Sequence, residues 1–395
     1  MSKDYTFASQ SVTEGHPDKL CDQISDALVD RFLRQDRWSR ISAECAVANG
    51  IVFVAARFES TGVVDIPNAA RDVIRETGYE QGEFNARNCT VITSLSEPQP
   101  NPNVNGRREP IGEEIDKVLA TDQCVVFGFA CRQTDALMPL PLWLAHKLVR
   151  RLDAVRRDRL LPYLEPEGKA DVSVEFRERR PCRIQGIHLT ASQRAAGKPA
   201  LDRLRRDLRE FVIEPVFADE PLRHDQQTRI DINVYGAVVP GGPYMHAGLT
   251  GRKPAVDTYG EYSRHSSRAL SGKDPSRISR VAHYGARYAA KNVVAAGLAD
   301  ECEVQLAYTH GHAGPISVEV ETYGANRIPE PEIVERVKRN FDLRLAALAR
   351  QFRLRELPLE HEDGFYRKLA VYGHVGRQDL DLPWELTDRA QALGG

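Results

Sequence analysis

The dipeptide Asn49-Gly50 lies between two short apolar runs, Ser42–Ala48 and Ile51–Phe58. Asn-Gly accepts the positive φ that a two-residue hairpin demands, so it is the strongest local constraint in the chain. The layout recurs. Asp171–Phe176 and Ile184–Thr190 flank a polar turn, and Glu303–Tyr308 and Ile316–Thr322 flank Thr309–Pro315. Long helical patterns accompany these pairs. Leu20, Ile24, Leu28 and Phe32 repeat at four-residue spacing, Leu144, Leu148 and Leu152 mark a helix over Leu142–Arg157, and Arg280–Leu298 is alanine-rich. Strand pairs mixed with helices predict an α+β chain whose helices cover one face of each sheet. Three such units predict internal repetition.

The 395 residues suffice for two or three domains. A formal net charge of −2 gives no electrostatic reason to expect nucleic-acid or membrane partners. No run of about 18 apolar residues occurs, and the opening MSKDYTFASQ lacks the apolar stretch of a signal peptide. The seven cysteines are an odd, scattered set without a CxxC pair. They predict a reducing cytoplasm, with neither a disulfide framework nor a structural zinc site.

Chemistry-bearing residues cluster in a few short segments. Gly15-His16-Pro17-Asp18-Lys19 stands at the mouth of the first predicted helix. Free backbone N–H groups and the helix dipole favour an anion there, and a carboxylate can hold Mg²⁺ against a polyphosphate. Gly248-Leu249-Thr250-Gly251-Arg252-Lys253 follows Gly241-Gly242-Pro243, and Ser271-Gly272-Lys273-Asp274-Pro275-Ser276 precedes a helix. Neither is a P-loop, and each taken singly is equally a structural turn. Lys169 stands before a strand, and Asp122 stands at the edge of the strand Cys124–Ala130. His16, Lys19, Lys169, Arg252, Lys253 and Lys273, with Asp18 and Glu44 for cations, make one theme suited to a triphosphate and metal ions. The stretch 97–120, with Pro98, Pro100, Pro102 and Arg107-Arg108, reads as a lid loop.

Longer segments carry a family resemblance. EGHPDKLCDQISDALVD, GGP…GLTGRK…VDTYG, SGKDPS, ARYAAKNVVAAGLAD and YGH.GR resemble the S-adenosylmethionine synthetase (methionine adenosyltransferase) family, nearly end to end. The resemblance implies three similar α+β domains around a pseudo-threefold, at 4–101, 113–241 and 242–392, with 102–112 part of a mobile lid. It implies a homodimer, often paired into tetramers, with sites at the subunit interface. It implies attack of the methionine sulfur on C5′ of ATP, hydrolysis of the released triphosphate, and assistance from Mg²⁺ and K⁺. By position, His16, Lys169, Arg252 and Lys273 match catalytic residues, and Lys19, Asp122, Lys253, Asp257 and Ser271 match the nucleotide and phosphate set. Asp18 matches a Mg²⁺ ligand, Glu44 the carboxylate associated with K⁺, and Gln99 the lid glutamine near methionine.

The departures concentrate around the acceptor and the base. Arg57 and His246 stand where the family has two acids that hold the methionine ammonium, and Ala237-Val238 replace an Arg-Phe pair near the base. GDQG has become Thr121-Asp122-Gln123-Cys124, the glycine run before SGKD reads His265-Ser266-Ser267-Arg268, and a Mg²⁺-associated Asp is Ser279. Each lost charged contact is worth about 1.5–3 kcal/mol. The expectation is therefore an adenosyltransferase whose acceptor is altered from free methionine. The alternatives are a conventional synthetase with a rebuilt methionine site, a catalytically weak partner subunit, or a triphosphate hydrolase.

Overall fold

The computed structural model describes residues 4–80, 82–96 and 107–394. In chain order the elements are β1 (Tyr5–Val12), α1 (Pro17–Gln35), β2 (Arg40–Ala48), β3 (Ile51–Glu59), α2 (Ile66–Thr77), β4 (Thr90–Ser96), β5 (Cys124–Cys131) and α3 (Leu140–Arg157). Then follow β6 (Leu164–Arg177), β7 (Arg180–Gln193), α4 (Leu201–Leu208), α5 (Glu214–Ala218), β8 (Arg229–Ile232), β9 (Gly248–Leu249), α6 (Pro254–Asp257), α7 (Ile278–Ala295), β10 (Glu301–Tyr308), β11 (Ser317–Glu321) and α8 (Glu330–Asn340).

Three sheets result, ordered β4-β3-β2-β9, β1-β6-β7-β8 and β11-β10-β5. The long helices α1, α3 and α7 each pack on one of them, against β2, β6 and β5 respectively. The architecture is thus α+β, three sheet-and-helix units, as the recurring pattern predicts. All three strand pairs form. Ala48 faces Ile51 across the Asn49-Gly50 turn, and Asn49 takes φ 49°. The second hairpin is longer than its apolar runs because Glu178 and Arg179 both adopt positive φ and close the turn without glycine. The sheets do not respect sequence order. β1 pairs with β6, β5 with β10, and β9 with β2. Each sheet therefore ties together segments more than a hundred residues apart.

The stretch 97–120 lies outside the described residues up to 106. Its remainder holds one 3-10 helix, Gly112–Lys117, and is anchored by Arg107 on Asp36 and by the Ala120 N–H on His312 O. Among the described residues, no helix is long and apolar enough to cross a membrane.

α1 departs from the one-sided helix its leucine spacing predicts, because nearly all of it is buried. Its second face carries Asp18, Asp22, Asp26 and Asp30, a carboxylate on every turn. Each accepts a backbone N–H from the C-terminal half of the chain. Leu249 N reaches Asp18 at 3.0 Å, Gly251 N reaches Asp22 at 2.8 Å, Gly272 N reaches Asp26 at 2.8 Å, and Tyr366 N reaches Asp30 at 3.0 Å. Hydrogen bonds to charged groups are worth about 1.5–3 kcal/mol apiece, so the stripe fixes the glycine-rich segments onto the helix. Gly248 completes the contact. A Cβ there would lie 2.2 Å from the carbonyl of Pro17, so only glycine lets β9 reach the helix mouth.

Candidate active site

His16 is the N-cap of α1. Pro17 occupies the first turn, and the His16 ring accepts from Asp18 N at 3.2 Å through Nδ1. Three elements hold the preceding loop. Thr13 Oγ1 donates to Pro166 O at 2.7 Å on β6, Glu14 is clamped by Arg156 and Arg157 at the end of α3, and Tyr79 OH, just beyond α2, donates to Gly15 O at 2.6 Å. The same register sets Val12 of β1 opposite Lys169 of β6. Residues distant in sequence thus meet at one helix mouth.

His16 is buried, and burial, then Lys253 and Lys169, push its pKa down to about 2. The imidazole is neutral at any working pH. With Nδ1 accepting from a backbone N–H, its proton rests on Nε2, which is a hydrogen-bond donor. Asp18 is buried behind it, and its Oδ2 accepts from Lys253 Nζ at 2.7 Å. Arg252 Nη1 stands 3.8 Å from Asp18 Oδ1 and is exposed. Lys169 is exposed, with Nζ 3.7 Å from Glu167 Oε1. His246 Nε2 lies 2.6 Å from Glu167 Oε1, and its ring centre is 5.2 Å from that of His16. Glu167 Oε2 also accepts from Gly242 N at 2.5 Å, which folds the glycine turn inward. Three cations, two imidazoles and two carboxylates share this mouth.

A second group lies elsewhere. Ser42 is paired with Arg57 on one side and with Lys273 on the other, so these three form a row across one sheet face. Glu44 is two residues along on the same face and is exposed, as is Arg57. Lys273 donates to Ala269 O at 2.6 Å. Its burial, then Arg280, push its pKa down to about 8, while Glu44 pulls it up. Along β2, Lys273 bridges Ser42, whereas Leu249 and Gly248 pair with Ala46 and Val47 further along the same strand, so the two groups stand apart. Arg57, opposite Ser42, belongs to this second group, and His246, bonded to Glu167, belongs to the first.

Lys19, Asp257 and Ser271 are buried. Lys19 donates to Asp22 at 2.9 Å and to Asp257, so its charge is spent inside the molecule rather than offered to a phosphate. Burial pulls its pKa down, but Asp22 and Asp257 outweigh burial and leave it protonated, its pKa raised. Asp122 is exposed and paired with Arg268 at 3.1 Å, the arginine that stands in the family's glycine run. Gln99 lies outside the described residues. Glu167 is the member that residue-by-residue reading misses. Its signal was its place two residues before Lys169 on a strand, hence on the same face.

Three sheet-and-helix units with such a cation cluster make an α+β protein with a site suited to a polyanion. The comparisons give its family. Residues 4–100, 117–238 and 240–386 match the family models for the N-terminal, central and C-terminal domains of S-adenosylmethionine synthetase. The chain is 48% identical over 403 residues to an S-adenosylmethionine synthase of Synechococcus sp. (strain JA-2-3B'a(2-13)), covering 98% of this chain and 97% of the relative. It is 46% identical to that of Trichormus variabilis, covering 100% and 97%, and 47% identical to that of Gloeobacter violaceus, covering 98% and 97%. The chain belongs to the S-adenosylmethionine synthetase family, transferases that use ATP as substrate.

Proposed function

We propose that the chain transfers the adenosyl group of ATP to the sulfur of methionine, in a homodimer whose sites join the His16 group of one copy to the Arg57–Lys273 group of the other. The observation that carries this reading is His16, a buried neutral donor at a helix mouth, with Lys169, Arg252 and Lys253 around it. The sulfur lone pair forms the S–C5′ bond, the C5′–O bond breaks, and its electron pair stays on the triphosphate. A thioether has no proton to lose, so no general base is needed. His16 donates a hydrogen bond to the leaving oxygen, and the cations stabilise the charge that develops there. The expected hydrolysis of triphosphate then uses the same cation cluster.

Asp18 would hold Mg²⁺ through the oxygen that Lys253 now occupies, with phosphate oxygens and water completing the set. The ion, when bound, supplies charge neutralisation of the polyphosphate. Glu44 offers K⁺ one exposed carboxylate, and in this reading other oxygens come from the second copy.

The dimer is argued from the open sheet face. Leu249, Ala46, Phe53 and Ile92 form a row across all four strands, with Leu249, Phe53 and Ile92 exposed by 44%, 40% and 46%. This apolar row adjoins Glu44, Arg57 and Lys273, so a second copy seated on it brings its own His16 mouth to these residues. Phe53→Arg should yield monomers in analytical ultracentrifugation and abolish turnover.

Relatives at 46–48% identity over the whole chain support methionine as the acceptor rather than an altered one. The site is rebuilt, with Glu167 keeping a carboxylate beside His246 where an acid has been lost. The second reading, an acceptor with an anionic group in place of the ammonium, is favoured by Arg57, exposed beside Lys273 and Glu44. Cytoplasmic residence is supported by seven cysteines that are all free. The test is mass spectrometry of products from ATP, Mg²⁺, K⁺ and methionine, with phosphate release measured in parallel. S-adenosylmethionine formed at rates typical of the family supports the first reading. Phosphate release without a sulfonium product overturns it in favour of the second.

A further inference from the structure

Histidine at position 246 does more than remove an acid. It places a second imidazole beside His16, with Glu167 between them. The ligand-capable atoms of His16, Glu167 and His246 lie within 4.8 Å of one another. Metal–ligand bonds of about 2.0–2.2 Å put neighbouring ligand atoms about 3–3.5 Å apart, so small side-chain rotations close the set. All three ride on supported backbone. His16 caps α1, Glu167 lies in β6 with Oε2 held by Gly242 N, and His246 follows the Gly242 turn.

We propose that His16, Glu167 and His246 form a binding site for a borderline transition-metal dication, Zn²⁺ by preference, and that its occupancy blocks adenosyl transfer. Two imidazoles and one carboxylate suit zinc and its neighbours, whereas Mg²⁺ takes oxygen ligands. Three protein ligands leave a position open to water or a substrate oxygen. Ligation by His16 through Nε2 moves its remaining proton to Nδ1, which gives up the bond from Asp18 N and must turn toward Asp18 Oδ2, 3.8 Å away. That places the carboxylate as the outer partner of a metal-bound histidine. The same Nε2 is the donor to the leaving oxygen, so metal and transition state compete for one atom. Lys169 and Lys253 oppose a dication here, and their partners Glu167 and Asp18 offset them. The blocking consequence rests on the adenosyl-transfer reading, but the binding does not.

The experiment is titration of the metal-free, full-length protein with Co²⁺ in excess Mg²⁺, followed by visible absorption, with Zn²⁺ then added. One Co²⁺ per chain should bind with the spectrum of nitrogen and oxygen ligands, be displaced by Zn²⁺, and resist Mg²⁺. His246→Ala and Glu167→Gln should each weaken binding by more than the roughly 10–100-fold that loss of an outer partner costs. Zn²⁺ should suppress product formation in the Mg²⁺ assay in parallel with Co²⁺ displacement. A thiolate charge-transfer band, competition by Mg²⁺, or unchanged affinity in both variants overturns the site. Saturating Zn²⁺ without loss of transfer overturns the blocking role. A protein that binds Co²⁺ as described but makes no sulfonium product leaves the site standing and removes the adenosyl-transfer reading instead.

Discussion

Replacing Lys19 by methionine separates a phosphate ligand from an internal strut. Lys19 is 0% exposed, and its ammonium serves Asp22 Oδ2 at 2.9 Å and Asp257 Oδ1. Methionine keeps the unbranched shape but strands two buried carboxylates against each other. Removing one partner of a buried pair costs about 3–5 kcal/mol, and the added like-charge repulsion puts this loss at the upper end. Burial already pushes the Asp257 carboxyl up to about 7 although Lys19 pulls it down, so without Lys19 it goes higher. A carboxyl whose folded pKa exceeds its unfolded value, about 3.9, binds more protons folded than unfolded. Its contribution to stability is full at low pH and is lost as the pH rises through the folded value. The variant's deficit should therefore be larger at about pH 8 than at about pH 6. Urea unfolding followed by the fluorescence of Trp384, buried and stacked 3.8 Å from Tyr284, measures it. Adding Asp257→Asn removes one stranded charge and should recover about 1–3 kcal/mol. A single variant within about 1 kcal/mol of the parent, or a double variant with no recovery, refutes the strut. A change confined to triphosphate affinity would restore the phosphate-ligand expectation.

His16→Ala should lower kcat by about 10²–10³ in the methionine assay, the cost of one donor aimed at a developing oxyanion. Lys273 should impose an alkaline limb on kcat/KM near pH 8, where its displaced ammonium loses its proton, and Lys273→Arg should abolish that limb. With methionine as the acceptor of a rebuilt site, Arg57→Glu should not raise kcat/KM for methionine, and a gain of about tenfold or more, the worth of one restored charged contact, would favour the altered-acceptor reading instead. Gly248→Ala, whose Cβ meets the Pro17 backbone, should cost about 1–3 kcal/mol of stability and loosen the Asp18–Leu249 contact.

The hairpins and long helices were legible because their signals are local. Asn49-Gly50 dictates its own turn, and leucine spacing over Leu142–Arg157 lies within the observed α3. The aspartate stripe of α1 was equally visible as a four-residue repeat, but a charged stripe on a helix ordinarily faces water. Only the backbone N–H groups of Leu249, Gly251, Gly272 and Tyr366 turn it into a buried docking surface. For the same reason Lys19 reads as a phosphate cation in a motif and as a strut in three dimensions. Glu167 escaped notice because its meaning depends on His246, 79 residues away.

By itself the sequence determined the α+β class, the position of His16 at a helix mouth and the stock of cations for a polyphosphate. These follow from short-range periodicity, capping and charge, which act within a few residues. The tertiary structure decided which cations are free and which are paired, that His16 is neutral, and that Arg57 and Lys273 flank Ser42 while His246 sits with Glu167. Burial and long-range pairing set those properties, through β1 against β6, β9 against β2 and the carboxylates of α1. Neither desolvation nor contact between distant segments is written in any local stretch of chain.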